Sequence, residues 1–384
     1  NGVWTPITPS VTFGSNGFYL PFEHDSTVEG FNTVAYRGNG VATRPVTSVG
    51  FSPDLVWLKG RSGGYDHQLY DTVRGATEKL LPSLTNAEST DTSGLSAFNS
   101  DGFTLETNVG INRNNYTYVS WCWDAGDAFS NSAGTNNATI ASSGKANLDY
   151  GFSIVSWTAT TGTQTVNHGL NSTPEIVIMK NRSASSNWAV FHTVTGSHQL
   201  SYLNLINSAI TPAETGPTSD VFTVGQTSST TGSSGNNLVA YCFHSVSGYS
   251  DFGTYTGNGS STGPTITTGF KPAFVMVKSS STNDGGNGNW IIYDNTRSPN
   301  VSSITQRLYA DLSNVEGTNA LYDIEFTDTG FQLKDGTANI GSNTNGTTYI
   351  YMAFADTRDK AFWWDMSGNE NNWTPTSIEP TDIV

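Results

Sequence analysis

The chain has 384 residues, a formal net charge of −15 and only 13% charged residues, beside 40 glycines and 12% aromatics; that charged share is about half the usual value for a soluble domain. Hydroxyls and amides must build the polar surface, which excludes a coiled coil, and the acidic balance argues against nucleic acid as a partner because phosphate contacts need clustered Lys and Arg. No apolar run of about 18 residues occurs, so no membrane insertion is expected, and two cysteines cannot form a disulfide framework.

Residues 1–31 form an N-terminal flanking segment. The chain opens with Asn1 rather than Met, and Asn1 to Phe13 lacks the basic flank and apolar core of a signal peptide, so the chain reads as processed or as a fragment. After it, four blocks recur three times in one order. The first block is Gly50-Phe51-Ser52-Pro53-Asp54-Leu55-Val56-Trp57-Leu58-Lys59, then Pro174-Glu175-Ile176-Val177-Ile178-Met179-Lys180, then Pro272-Ala273-Phe274-Val275-Met276-Val277-Lys278. The second is Leu69-Tyr70-Asp71-Thr72-Val73-Arg74, Val190-Phe191-His192-Thr193-Val194-Thr195 and Ile292-Tyr293-Asp294-Asn295-Thr296-Arg297. A third carries Phe103, Phe222 or Phe331 after a turn, and a fourth closes each copy with Trp121-Cys122-Trp123, Tyr241-Cys242-Phe243 or Met352-Ala353-Phe354. A period of about 100 residues is the signature of a repeat architecture.

The blocks are short apolar runs bounded by Gly and Pro, the pattern of buried strands, with Pro53, Pro174 and Pro272 at strand entry where a missing donor does little harm. One short helix is expected at Ala76 to Leu84, limited by Pro82. The fold expected is all-β: three tandem antiparallel β-sandwich-like repeats over 32–127, 148–248 and 249–356, a linker at 128–147 and a C-terminal flanking segment at 357–384. That last segment contains Trp373-Thr374-Pro375, an echo of Trp4-Thr5-Pro6. Cys122 and Cys242 occupy one position in two copies, where the third has Ala353, so they read as buried free thiols rather than as a disulfide.

Catalytic constellations are sparse. The six histidines (His24, His67, His168, His192, His198, His244) have no metal-ligand spacing. G-x-S-x-G occurs at Gly60-Arg61-Ser62-Gly63-Gly64 and Gly259-Ser260-Ser261-Thr262-Gly263, but a nucleophile elbow needs a following helix, which neither has in its sequence pattern. Asp71 and Asp294, each three residues before Arg74 or Arg297, are the most tempting carboxylates; the second copy puts His192 and Thr195 there, which points to turn-forming Asp rather than to a glycosidase pair. Lys59, Lys180 and Lys278 read as strand-end lysines guarding solvated edges. Asp124, Asp127, Asp356 and Asp359 lack the D-x-D-x-D-G calcium pattern. No catalytic, cofactor or metal residue is therefore assigned. Loops rich in Asn, Ser and Thr with interleaved Tyr and Trp suit saccharide or protein contact.

The strings Ser52-Pro53-Asp54-Leu55-Val56-Trp57-Leu58-Lys59-Gly60-Arg61-Ser62, Leu69-Tyr70-Asp71-Thr72-Val73-Arg74-Gly75-Ala76-Thr77 and Tyr118-Val119-Ser120-Trp121-Cys122-Trp123-Asp124-Ala125-Gly126 resemble a repeat family in virion proteins of marine tailed bacteriophages. So does Asp365-Met366-Ser367-Gly368-Asn369-Glu370-Asn371-Asn372-Trp373-Thr374-Pro375, and the second copy matches more loosely. The resemblance implies a non-enzymatic structural protein on the phage particle surface, a tail fibre or host-binding adhesin. It would be a homo-oligomer contacting other virion proteins and a host-surface glycan. A capsid decoration protein and a polysaccharide depolymerase are the alternative readings.

Overall fold

Runs such as Leu55–Gly60 and Ile176–Asn181, buried at every position, become central strands because both of their faces find apolar partners. The computed structural model describes residues 28–193, 199–210, 215–225, 233–280, 288–319, 322–334 and 341–357. Residues 29–356 form one compact unit. Both Trp-Thr-Pro motifs, His24, His198, Thr195 and Asp359 lie outside the described residues.

The protein is all-β and antiparallel, and one strand order recurs in three successive stretches. The first sheet runs Phe31–Arg37, Thr117–Trp123, Leu55–Gly60, Gln68–Asp71, so the opening and closing strands of the stretch are neighbours. The second places Phe152–Thr158, Asn237–Phe243, Ile176–Asn181, Ala189–His192 and Gln199–Tyr202 in the same order, and the third Ser250–Thr256, Thr348–Ala355, Pro272–Ser279, Ile291–Asp294 and Gln306–Tyr309. Each stretch adds a small second sheet, in which Gly102–Leu105, Val221–Val224 or Gly330–Leu333 carries the buried Phe103, Phe222 or Phe331. Gly102 and Gly330 turn into those strands. A Cβ on Gly102, at φ +127°, would lie 2.0 Å from the Val46 carbonyl oxygen, so only glycine fits.

The period-two alternation of a strand divides each large sheet between two cores. Val56, Leu58 and Cys122 face the first stretch's own small sheet, as Val177, Met179 and Cys242 do in the second and Val275, Val277 and Ala353 in the third. Leu55, Trp57 and Trp121 join Ile176, Ile178, Tyr241, Phe274, Met276 and Met352 in one shared core. At its centre Phe31 stacks on Phe354 at 4.9 Å, and Trp123 and Phe243 meet the same Phe354 ring edge-on at 5.7 and 6.0 Å. A cavity of about 20 Å³ in this packing is lined by residues of all three sheets, among them Trp57, Trp188 and Met276. The stretches are thus joined through one interior rather than strung as separate beads.

Two expectations need correction. The supposed linker is a hairpin: Asp127–Asn131 pairs with Ser142–Asn147, which pairs in turn with Phe152–Thr158 and widens the second sheet to seven strands. Backbone pairing is indifferent to the Gly, Ser and Asn content that suggested a linker, and Phe129 anchors the hairpin on the second stretch's own core. The helix expected at Ala76 to Leu84 is absent. Glu78–Lys79 pairs with Ser89–Thr90, and Leu80 is fully buried and bridges Leu69, because extending the backbone carries Leu80 into the shared core. The single described helix is one turn, Val109–Asn112, capped by the Asn108 side chain on the Gly110 N–H.

Candidate functional site

The polar groups singled out in the sequence converge on the seams between sheets. Asp71 ends strand Gln68–Asp71, and the turn after it brings Arg74 back: Oδ1 accepts the Arg74 backbone N–H at 2.8 Å and Oδ2 accepts Arg74 Nε at 2.5 Å. Asp294 and Arg297 repeat both contacts at 2.8 and 2.5 Å. The expected turn-forming Asp is present, but it does more than shape a turn. Both ion pairs have 0% side-chain exposure, and each Asp accepts a further bond from a neighbouring sheet. Tyr241 of the second sheet donates its hydroxyl to Asp71 at 2.7 Å, and Trp121 of the first donates its indole N–H to Asp294 at 3.0 Å.

Each arginine then reaches a glutamate that the sequence blocks did not reveal. Arg74 donates to Glu88 at 2.9 Å, and Glu88 also takes Nε and Nη2 of Arg182 from the second sheet at 2.8 and 2.7 Å. Arg297 donates to Glu316 at 3.0 Å, and Glu316 takes Nε and Nη2 of Arg61 from the first sheet at 3.0 and 2.8 Å. Burial opposes ionisation of Glu316, but the Arg61 hydrogen bond and the Arg297 charge outweigh it and hold the carboxyl below its ordinary value of 4.5. Asp294 and then Glu316 hold Arg297 above its ordinary value against its burial.

The three lysines are buried, not at solvated edges as expected. Lys59 donates to Gly60 O at 2.9 Å and across the seam to Ser313 O at 3.1 Å; Lys180 reaches Asn181 O at 2.8 Å and Thr85 O at 3.2 Å; Lys278 reaches Ser279 O at 2.7 Å and Ile206 O at 3.3 Å. Carbonyl oxygens substitute for water round each ammonium, which is why a lysine can end a buried strand here. Burial pulls Lys59 and Lys180 down to about 8. A ring N–H forms a third column, four residues before Asp71, His192 and Asp294. His67 accepts from Trp57 on Nδ1 at 2.8 Å, so its Nε2 carries the proton toward Tyr309 O at 2.8 Å; Trp188 donates to Leu81 O at 3.0 Å and Trp290 to Tyr202 O at 2.9 Å. Burial keeps His67 neutral by pushing its pKa well below 6.5.

The direction is cyclic: the first sheet donates to the third, the third to the second and the second to the first. Two seams carry the full set of charges. In the seam between third and second sheets, the Arg61 and Arg182 position is Ser280, the glutamate position is Ala209, the Asp position is His192 and the aromatic donor is Met352, and only the lysine and Trp290 bonds remain of those described above. Alignment on the backbone supports this reading, since Ala209 N donates to Ser280 O as Glu316 N does to Arg61 O and Glu88 N to Arg182 O. The arginine–carboxylate set is therefore present whole or replaced throughout, while the lysine stays in all three seams, as expected where a lone buried charge without polar partners is costly.

These contacts fasten the sheets to one another. Asp71 and Asp294 lie in different seams with their oxygens occupied, so they do not face one bond. Ser62 Oγ accepts the Thr117 N–H at 2.9 Å, and no helix follows either G-x-S-x-G string. His168 Nε2 donates to Thr218 O at 3.1 Å, and His244 Nδ1 lies 3.0 Å from Ser245 O. Asp124 accepts the Gly126 N–H at 2.7 Å, Asp127 opens the hairpin and Asp356 accepts from Asn295 at 2.5 Å. Among the described residues no group of three or more His, Cys, Asp or Glu is placed to hold a metal ion, and no helix is long and apolar enough to cross a membrane. Cys122 and Cys242 are free and buried, with burial pushing both thiols up to about 12. No curated protein matches the chain. Residues 26–358 match the family described as "Domain of unknown function (DUF7483)", and the chain belongs to that family.

Proposed function

We propose that the chain is a non-enzymatic structural protein of a bacteriophage particle, a tail fibre or adhesin that meets the host surface. The observation that carries this reading is the use of its buried charges. The carboxylates, arginines and lysines that the sequence offers as chemistry are bonded to one another or to backbone across the seams, holding three sheets round one core. Such cross-ties serve a part that must keep its shape under load. The resemblance to marine phage repeat proteins supports a place on the particle, and loops of Asn, Ser, Thr and Tyr suit glycans. The threefold recurrence of one sheet order favours a second placement, as a capsid decoration protein on a site of threefold symmetry. A density map of the intact particle tests both: density for this fold on the tail supports the first reading, density on the head supports the second, and its absence from the particle rejects both. Release of product from host polysaccharide by the purified chain would instead support the depolymerase alternative.

A further inference from the structure

Positions shared between stretches report what the fold requires, so a site is best sought where one stretch keeps the scaffold and changes its side chains. The end of the first sheet does so. Gly38 N donates to Tyr116 O at 2.8 Å, Gly40 N to Asn112 O at 2.8 Å, Asn39 N to Asn112 Oδ1 at 3.1 Å and Arg113 N to Tyr118 Oη at 2.9 Å. The third stretch builds the same loops through Gly257 N to Thr347 O at 2.9 Å, Gly259 N to Asn343 O at 2.8 Å, Asn258 N to Asn343 Oδ1 at 2.8 Å and Thr344 N to Tyr349 Oη at 3.1 Å. With the backbone shared, Val41, Arg113 and Tyr116 stand where the third stretch has Ser260, Thr344 and Thr347. The fold does not ask for the larger set.

What those side chains make is a prepared cation on an aromatic platform. Arg113 is exposed; its Nη1 donates to Tyr65 Oη at 2.8 Å, and its guanidinium lies 4.4 Å from the centroid of the Tyr116 ring. Tyr65 and Tyr116 sit 6.0 Å apart at 54°, and Gly63 leaves room for both rings. Arg37 is held alongside by Asn115 Oδ1 at 3.4 Å. Arg61, Arg74, Arg182 and Arg297 are spent on carboxylates in the seams, but among the described residues no carboxylate pairs with Arg113 or Arg37. Val41 and Val109, at 61% and 57% exposure, are the two most exposed large apolar side chains described; Val41 follows the loop of residues 38–40 and Val109 opens the one-turn helix that leads to Arg113. In a protein of net charge −15, an arginine positioned by two tyrosines beside two exposed valines is a surface that suits an anionic ligand with apolar faces.

We propose that this end of the first sheet binds a carboxylate-bearing saccharide, with Arg113 pairing the carboxylate and Tyr65 and Tyr116 stacking on sugar faces. Guanidinium recognises a carboxylate through two parallel hydrogen bonds, and its fixed position limits the entropy lost on binding. Pyranose rings offer apolar faces to tyrosine, and the Asn114 and Asn115 amides offer partners for hydroxyls. The inference rests on the host-binding reading and names the ligand class for it.

The test titrates the full chain, by calorimetry, with a tetrasaccharide of glucuronic acid and with a neutral glucose tetrasaccharide. Binding of the acidic sugar alone is expected, weakened at least tenfold by Arg113→Thr and by Tyr116→Thr, substitutions whose products the third stretch already carries on the same backbone. Equal binding of the neutral sugar, unchanged binding by Arg113→Thr, tighter binding of a poly-glutamate peptide, or no binding at millimolar sugar overturns the proposal. These outcomes separate from the parent reading: a particle map with the chain on the tail and no sugar binding rejects this site alone, whereas sugar binding by a chain absent from the particle rejects the virion reading alone.

Discussion

Glu316→Ala removes a carboxylate that ties two arginines together across one seam. Its two oxygens hold Arg61 through Nε and Nη2 and Arg297 through Nη1, and the Arg297 side chain has 0% exposure. The substitution leaves a buried guanidinium short of a partner, a change that costs about 3–5 kcal/mol. Arg61, with 22% side-chain exposure, can turn toward water, which puts the expected loss near the lower end, about 3 kcal/mol. With a urea slope of about 3 kcal/mol/M for a chain of this size, the unfolding midpoint falls by roughly 1 M, read by tryptophan fluorescence. Adding Arg61→Ser, Arg297→Thr and Asp294→His, the residues at the matching positions of the seam between third and second sheets, should recover at least half of that shift, because removing the arginine–carboxylate set is far milder than orphaning part of it. The folded pKa of Glu316 lies below its unfolded value, so its contribution is complete above about pH 4.5 and fades as pH falls through the folded value. Glu316→Ala therefore flattens the acid limb of the stability profile. A midpoint shift under about 0.3 M, or a quadruple variant weaker than the single one, refutes the reasoning.

Two further outcomes follow from the buried groups. Cys122 and Cys242 should resist a thiol reagent at pH 8 in the folded protein and react promptly in urea, since each is fully buried with its pKa pushed up to about 12. Burial lowers Lys180 to about 8 from 10.5, so the unfolded state binds its proton more tightly and stability from this residue rises as pH climbs between those values. Urea midpoints at pH 7.5 and 9.5 should show wild type gaining on Lys180→Met by on the order of 1 kcal/mol, and a constant gap would contradict the assignment.

The strands were legible because their apolar runs and flanking Gly and Pro mark a buried strand from local sequence alone. Their common core was not. Trp57 and Val56 are adjacent apolar residues in a strand with no polar face, and nothing local tells which one meets another sheet. The Asp-Arg turn was legible from its spacing of three, but Glu88 and Glu316 sit outside the recurring blocks, and their partners Arg182 and Arg61 belong to other stretches. The lysines misled because a charge at a strand end usually marks an exposed edge; three carbonyl-lined cups reverse that rule. One signal was available and passed over: an aromatic or His four residues before each of Asp71, His192 and Asp294, the column that donates across every seam. The Arg113 platform was legible only as a departure, since Tyr65, Arg113 and Tyr116 come from separate loops that the fold assembles.

The three stretches behave as one body because their sheets share a core and fasten to one another in a cycle. Hydrogen exchange of the full chain in rising urea, followed by mass spectrometry on peptides from Leu55–Gly60, Ile176–Asn181 and Pro272–Ser279, measures this directly. All three central strands should open in a single step at one urea concentration. Three separate transitions, with one strand exchanging while the other two stay protected, would contradict it.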